Sequence, residues 1–398
     1  MLKTQPGMRY FYVSGVVSVL IILPCSMKRS ILFSLLVFST GILYGIDYSK
    51  TDKQAEYVPP NLKTASDIAR YLTRGLTSPT DKARAIYYWI AHTIRYDVAN
   101  MNSTATYTDS QELVDAALKT RKGVCSNYAA LFQACCKSVG VQSYIIEGYT
   151  RQNGKIVSIA HAWNAVKIDG RYYNVDATWA AGYFNGNNYT QKFRDNFFMI
   201  EPAEFIKTHR SFDPIWQFLT HPVTPKEFEA GDFSSLNKVS DFNYSDSIKA
   251  LLGLGKLDKL IRENRRITTS GVTNALIQHH LRNIQREIAT EQFNKATDTF
   301  NKGVESYNEY INFKNKQFNK LSMPDNEILE RLSLSRQLIE SAERTLSTLN
   351  VADTNFNRLR SGMIKSITGL KRKLDIEDAF MAIYIRTLKT SRMQLFYK

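Results

Sequence analysis

The sequence predicts an α+β protein in which helices pack on an antiparallel sheet, followed by an all-α helical bundle. Three changes of pattern along the chain indicate this order. Apolar residues at helical spacing dominate residues 64–140. From Val141 the pattern changes to stretches rich in β-branched and aromatic residues, such as VQSYIIEGYT and RYYNVDATW. From about residue 240, long runs of helix formers return without a strand signal.

The first 46 residues contain two apolar runs separated by Cys25-Ser26-Met27-Lys28-Arg29. Each run is shorter than the roughly 18 residues that a membrane span needs. Read from Met27, the chain has a basic start, an apolar segment and small residues near Gly45, as in a secretory signal. We therefore predict a signal peptide or N-terminal hydrophobic segment over 1–46, with Met27 as a candidate true start, and an exported protein that is periplasmic, envelope-associated or secreted. A two-span N-terminal anchor is the alternative.

The net charge of +15 is spread along the chain, with a mild bias to the C-terminal third. A nucleic-acid-binding arm would concentrate it in one segment, so no nucleic-acid partner is predicted. The charge suits contact with an anionic membrane or cell-wall surface, although a solvated basic surface is the plainer explanation. The sequence does not determine the oligomeric state.

Helix signals place the domain boundaries. A helix is expected from Thr64 to about Arg74, and Ser78-Pro79 starts another that carries IYYWIAHTIRYD. A third helix over about 112–120 precedes Cys125, which opens a fourth. We predict a catalytic domain over 58–230, a linker over 231–245 and a helical domain of unknown role over 246–398.

Cys125 is the candidate nucleophile. Gly123 permits a tight turn before it, and the start of a helix favours a thiolate through free N–H groups and the helix dipole. The same N–H groups suit an oxyanion. Cys135 and Cys136 lie on the same helix, about 15 Å further along, too far for a disulfide with Cys125, and we interpret them as core residues.

A hairpin brings a histidine and an aspartate together. Asp169-Gly170 signals a two-residue turn, so residues whose numbers sum to 339 face each other. Trp163 then pairs with Asp176, and His161 with Thr178, which makes His161 and Asp176 diagonal neighbours on one face. Val166, Ile168, Tyr173 and Val175 point to the other face, toward a core on one side of the sheet.

Other histidines give weaker signals. His92 lies beside aromatic residues on a helix without an obvious carboxylate partner, so we interpret it as a packing residue. His221, His279 and His280 show no metal-ligand spacing. No metal and no cofactor are predicted.

The runs GVCSNYAALFQACCKSVGV, GYTR, AHAWNAVKIDGRYYNVDATWAAGY and EPAEFIKTHRSFDPIWQFL resemble the transglutaminase-like superfamily, in the branch that includes the kyphoscoliosis peptidase. The resemblance covers about residues 60–228 and implies a papain-like core with Cys125, His161 and Asp176 as a catalytic triad. Members often carry Gly-Tyr-Ala after the nucleophile, whereas Asn127-Tyr128-Ala129 stands here. We expect Asn127, Tyr128 and Trp163 to bind substrate. Trp179 matches another family aromatic, which we assign to the core.

The expected function is acyl transfer through a Cys125 thioester. Hydrolysis of peptide or side-chain amides, including those of cell-wall peptide, is preferred over the alternatives. One alternative is a cross-linking transglutaminase with an amine acceptor. Another is a non-catalytic module that binds a peptide or glycan in the same cleft. A third places the function in the helical region, with the core as a spacer.

Overall fold

The structure is a computed structural model that describes residues 8–13, 16–21, 47–101, 110–185, 188–238, 240, 242–318 and 322–397. The chain forms two units, residues 1–50 and 51–398. In the first unit, strands β1 (Met8–Val13) and β2 (Val16–Ile21) pair as an antiparallel hairpin. The predicted signal segment after Met27 lies outside the described residues. Across the described part of the chain, every helix is too short or too polar to cross a membrane.

The second unit begins with a layer of helices. Thr64 caps the second of them by accepting from the backbone N–H of Asp67 at 3.1 Å, and Pro79 occupies the first turn of the third. Their apolar faces meet in one core that includes Ile86, Trp89 and Phe132. These helices are α1 (Ser49–Ala55), α2 (Ala65–Leu72), α3 (Pro79–Thr93), α4 (Ser110–Thr120) and α5 (Cys125–Ser138).

A four-stranded antiparallel sheet packs on this layer in the order β10-β5-β6-β7. The register between β6 and β7 pairs Ile168 with Arg171 and Asn164 with Val175, as the two-residue turn predicts. Smaller pairs flank the sheet: parallel β3 and β4, and the hairpin of β8 and β9. The strands are β3 (Arg95–Tyr96), β4 (Lys122–Gly123), β5 (Ser143–Gln152), β6 (Lys155–Ile168), β7 (Arg171–Val175), β8 (Gly182–Asn185), β9 (Asn188–Gln191) and β10 (His209–Ser211).

Both faces of the sheet are covered. Val166, Ile168 and Val175 pack on the helical layer, as predicted. Trp163 and Tyr172 lie in a second core, which is built with residues of the segment 205–254. The expectation of a core on one side only was wrong, because the chain after β7 returns over the other face. The helices that follow β7 are α6 (Ala177–Ala181), α7 (Pro202–Phe205), α8 (Pro225–Ala230) and α9 (Tyr244–Leu252).

The remaining chain is helical, so the α+β plan with a C-terminal all-α region is confirmed. The helices are α10 (Lys256–Ser270), α11 (Ala275–Asn315), α12 (Asp325–Thr348) and α13 (Thr354–Arg386). Residues of α10 and of the first part of α11, among them Ile267 and Ile277, share a core with Tyr149 of β5 and Phe228. Only the later residues form a core of helices alone. The packing therefore continues across the predicted linker over 231–245.

Candidate active site

Cys125 is the first residue of α5, as the sequence predicts, and its thiol is free and partly exposed. Asn127 shapes this helix start: its Oδ1 accepts from the N–H of Val124 at 3.0 Å, and its Nδ2 donates to the carbonyl of Leu113 at 3.0 Å. A Cβ at Gly123 would lie 2.5 Å from the Cβ of Asn127. Glycine at 123 therefore permits the close turn that presents Cys125.

His161 lies on β6, where it pairs with Gly148 of β5. Its Nε2 lies 2.7 Å from Oδ2 of Asp176. The Cys125 thiol lines the same cleft and contributes to the raised pKa of this ring. Because Nε2 contacts Asp176, Nδ1 is the nitrogen left for the sulfur. The structure thus brings together the three residues that the sequence singles out.

Asp176 contacts His161 from the N-cap of a helix and not from a paired strand. β7 ends at Val175, and Asp176 instead caps α6, where its Oδ1 accepts from the N–H groups of Thr178 and Trp179 at 2.8 and 2.9 Å. The predicted pairs of Trp163 with Asp176 and of His161 with Thr178 therefore do not form. Aspartate is a strong helix N-cap, and this preference ends the strand. The cap leaves Oδ2 free to face His161.

A second histidine, His209 of β10, contacts the same carboxylate. Its Nε2 lies 3.2 Å from Oδ2 of Asp176, and its Nδ1 lies 2.8 Å from the hydroxyl of Thr208. The pattern suits a neutral ring that donates to Asp176 through Nε2 and accepts from Thr208 at Nδ1. His209 was not among the residues predicted for the site. The signal available was its position inside the family-like run EPAEFIKTHRSFDPIWQFL.

The pKa values of His161, Asp176 and His209 are shifted in different directions. Burial lowers the pKa of His161, but the charge of Asp176 and the hydrogen bonds to Asp176 and Cys125 outweigh it, and the pKa is raised to about 10. Burial favours a higher pKa for Asp176, yet His161 and His209 hold it well below its usual range. Burial lowers the pKa of His209 to about 4, against the attraction of Asp176. At neutral pH, His161 is therefore the cationic partner of Asp176, and His209 is neutral.

The ligand atoms of His161, Asp176 and His209 lie within 4.8 Å of one another, close enough to hold a metal ion. In the structure these atoms hydrogen-bond to each other, with Asp176 Oδ2 shared by the two histidines. Hydrogen bonding thus accounts for the cluster without an ion. The absence of a metal requirement stays a prediction.

The thiol and the imidazole open into a cleft of about 1110 Å³. Trp179 lies on its lining, and its ring is 5.9 Å from that of His161. Trp179 also packs against the helical core, so its assignment to the core holds only in part. Aromatic and basic side chains make up much of the rest of the described lining, including Tyr96, Tyr183, Phe184, Tyr189, Arg151, Lys192 and Arg194.

The three residues predicted to bind substrate lie beneath this lining. Asn127 is 3% exposed and holds the backbone around Cys125. Tyr128 is 1% exposed, and its hydroxyl donates to the carbonyl of Ile94 at 2.5 Å. Trp163 is 2% exposed, donates to Asn174, and its ring centroid lies 5.6 Å from that of Phe205. Their positions correct the prediction, because buried side chains with internal partners support the site without touching the cleft.

The remaining cysteines and the rival histidine lie elsewhere. Cys135 and Cys136 are fully buried in the helical core, and burial raises the pKa of Cys135 to about 12 and that of Cys136 well above its usual value. His92 is exposed, stacks on Tyr88 and pairs with the backbone carbonyl of that residue at 2.8 Å. These placements agree with their interpretation as packing residues.

Comparison with known proteins places this site in a family. A model of the transglutaminase-like superfamily matches residues 66–177. The kyphoscoliosis peptidase of Mus musculus is 33% identical over 192 residues, which cover 46% of this chain and 28% of that protein. The kyphoscoliosis peptidase of Homo sapiens is 35% identical over 158 residues, 37% of this chain and 23% of that protein.

Hillarin of Drosophila melanogaster is 27% identical over 207 residues, which cover 46% of this chain and 24% of that protein. This chain thus spans about a quarter of the length of these three curated relatives. The matched segment includes Cys125, His161 and Asp176. Residues 66–177 thus match the transglutaminase-like superfamily, and the surrounding segment is similar to the kyphoscoliosis peptidases.

Proposed function

We propose that this protein is a thiol peptidase or amidase in which Cys125 attacks an amide carbonyl and water releases the acyl group. The observation that carries the proposal is the buried contact of Asp176 with His161, whose ring lines an open cleft together with the Cys125 thiol. Nucleophilic catalysis by cysteine needs a thiolate, a base beside it and a group that orients the base. The three side chains supply these requirements in that order.

His161 takes the proton of the Cys125 thiol, and the sulfur then attacks the carbonyl carbon. A C–S bond forms, and the carbonyl oxygen becomes an oxyanion near the first backbone N–H groups of α5. His161 then gives its proton to the leaving nitrogen, the C–N bond breaks, and an amine leaves a thioester on Cys125. Water attacks this thioester while His161 takes its proton. The C–S bond breaks, and a carboxylic acid leaves.

Asp176 keeps Nε2 of His161 engaged, so that Nδ1 faces the sulfur throughout the cycle. Its negative charge also stabilises the imidazolium of the resting state. Because Asp176 is buried and bonded to the backbone of α6, its orientation is set before substrate binds. This arrangement limits the reorganisation that each proton transfer requires.

Water is the proposed acceptor, and the relatives named as peptidases support this choice. A cross-linking transglutaminase would pass through the same thioester and deliver the acyl group to an amine. A binding module would use the cleft without forming a thioester. We also propose that the protein is exported and acts on extracellular or cell-envelope peptides, on the strength of the predicted signal segment. N-terminal sequencing of the protein recovered outside the cytoplasm tests the export.

The test of the function has two readouts. Iodoacetamide at pH 7 should label Cys125 rapidly and leave the buried Cys135 and Cys136 unmodified in the folded protein. Incubation with a peptide mixture and a small amine, followed by mass spectrometry, should yield hydrolysed products. Amine-coupled products in their place would establish a transglutaminase. Equally slow labelling of all three cysteines, without any product, would establish the binding module and refute catalysis.

A further inference from the structure

The described charged side chains that line the cleft in front of Cys125 are basic. Besides His161, its described lining includes three cationic side chains, Arg151, Lys192 and Arg194, and no aspartate or glutamate. None of the three forms an ion pair with a residue that the structure describes. Unpaired cations in a concave surface attract anionic groups more strongly than cations on a flat surface do, because the walls exclude part of the solvent. The described lining of the cleft therefore carries an excess of positive charge.

Arg151 is held in place rather than extended into solvent. It lies on β5, three residues after Gly148, the partner of His161. A Cβ at Gly231 would lie only 2.5 Å from its Nη2, so its guanidinium packs directly against the backbone at that glycine. Its Nε is buried and has no hydrogen-bond partner among the described residues. A buried, unpartnered donor on a fixed cation is a feature that a bound carboxylate would satisfy.

The other two cations come from the segment that follows β9. The backbone N–H groups of Lys192 and Arg194 donate to the carbonyls of Ala181 and Ala180 at the end of α6. This bonding fixes the segment beside Trp179, which lines the same cleft. The guanidinium of Arg194 lies 4.9 Å from the ring centroid of Phe197. Cationic groups thus enter the cleft from two separate parts of the chain.

Aromatic rings accompany these cations. Tyr96, Phe184 and Tyr189 contact one another, with ring centroids 5.5 to 5.6 Å apart, and all three line the cleft. Tyr183 and Phe184 are 39% and 43% exposed. Rings exposed in a cleft offer apolar area to a peptide. The combination favours a substrate that carries both acidic and apolar side chains.

We infer that the acyl donor of this enzyme is an acidic peptide, with an aspartate or glutamate side chain bound at Arg151 and further negative charge near Lys192 and Arg194. The inference rests on the proposed function and specifies its substrate class. Arg151 lies three residues along β5 from the partner of His161, roughly 10 Å or less, because the strand has an irregularity between Tyr149 and Arg151. An extended peptide spans that distance with about three residues. The acidic side chain is therefore expected about three residues from the scissile amide.

The experiment compares two synthetic peptide mixtures that differ only in having Asp and Glu, or Asn and Gln, at the positions about three residues from the cleaved amide. We expect kcat/KM to be about tenfold higher for the acidic mixture at low salt, and the advantage to shrink as ionic strength rises. Arg151→Gln and Lys192→Gln should each reduce the advantage several-fold. Arg262→Gln, which removes an exposed cation of α10, should leave it unchanged. Arg151→Glu should shift the preference toward lysine-containing peptides.

Equal turnover of the two mixtures, with Cys125 still alkylated selectively, would overturn the acidic-peptide inference and leave the proposed function standing. A preference that survives Arg151→Gln and Lys192→Gln unchanged would overturn the assignment of these residues. If the wild-type protein cleaves neither mixture and Cys125 is not selectively alkylated, the proposed function fails and this inference fails with it. Circular dichroism of each variant establishes that it is folded.

Discussion

His209 and Asp176 are joined by a buried contact of 3.2 Å between Nε2 and Oδ2, the same carboxylate oxygen that His161 contacts at 2.7 Å. One carboxylate therefore accepts from two imidazoles and from two backbone N–H groups. Four donors fix its position more firmly than a His–Asp pair alone would. We assign His209 as a positioning residue, because it acts on His161 through Asp176.

Replacing His209 with leucine should lower kcat about ten- to hundredfold with little change in KM, since a charged hydrogen bond of this kind contributes about 1.5–3 kcal/mol. His209→Gln keeps an N–H donor and should restore part of the loss. The pH profile of Cys125 alkylation reports the protonation of His161. The midpoint of that profile should move in His209→Leu and move less in His209→Gln. A midpoint unchanged in both variants would make the role of His209 purely structural.

Cys125→Ala should abolish turnover without unfolding the protein. The thiol is partly exposed at a helix start, so its removal leaves no cavity in the core. Cys135→Ala is the matched control: it removes a fully buried sulfur, should lower the free energy of unfolding by about 1 kcal/mol or more, and should keep activity. Product formation and urea unfolding measure the two effects. Activity retained in Cys125→Ala would refute the thioester mechanism.

The buried ion pair of His161 and Asp176 predicts a pH-dependent stability. The pKa of His161 is raised to about 10 in the folded state, above its ordinary value near 6.5. Its contribution to stability is therefore fully present below pH 6.5 and is lost as the pH rises through 10. The free energy of unfolding should fall over this range.

Asp176→Asn removes the negative partner, and the pKa of His161 should drop toward or below its ordinary value. The difference in unfolding free energy between wild type and Asp176→Asn should therefore decrease from pH 6 to pH 10. Comparing the two proteins at each pH cancels the titration of other groups. A difference that is constant from pH 6 to pH 10 would contradict the raised pKa of His161.

Truncating the two tryptophans near His161 should have different effects, one mainly on stability and the other mainly on kinetics. Trp163 is 2% exposed and packs in the second core, so Trp163→Ala should cost about 3–5 kcal/mol of stability. Trp179 lines the cleft, so Trp179→Ala should change the kinetics toward peptide substrates more than it changes stability. Thermal unfolding together with kcat/KM separates the two outcomes. Equal stability losses would place Trp179 in the core after all.

Local signals predicted much of this molecule. The turn at Asp169-Gly170 set the register of β6 and β7, and Gly123 with the apolar run after it predicted the helix that Cys125 opens. Both depend on backbone preferences of a few adjacent residues. Such preferences do not reveal where the strand stops, so the extension of the hairpin to Asp176 failed when that residue capped α6.

Burial of individual side chains was harder to predict. Asn127 and Trp163 were expected in the cleft and lie beneath it, whereas Trp179 was expected in the core and lines the cleft. Residue type does not separate these outcomes, because a tryptophan serves equally as core and as cleft wall. His209 was missed because β10 follows Asp176 by more than thirty residues, and only its pairing with β5 brings it to the site.

The sequence by itself determined the fold class and singled out the thiol, imidazole and carboxylate of the site, because these follow from periodicity, turn chemistry and a local motif. Tertiary structure alone decided that Asp176 serves two histidines, that α10 and α11 share a core with β5, and that cations without an ion pair to any described residue line the cleft of Cys125. These relationships join residues that are distant along the chain. Only the packing of whole elements, which excludes water and closes the layers, determines which of them meet.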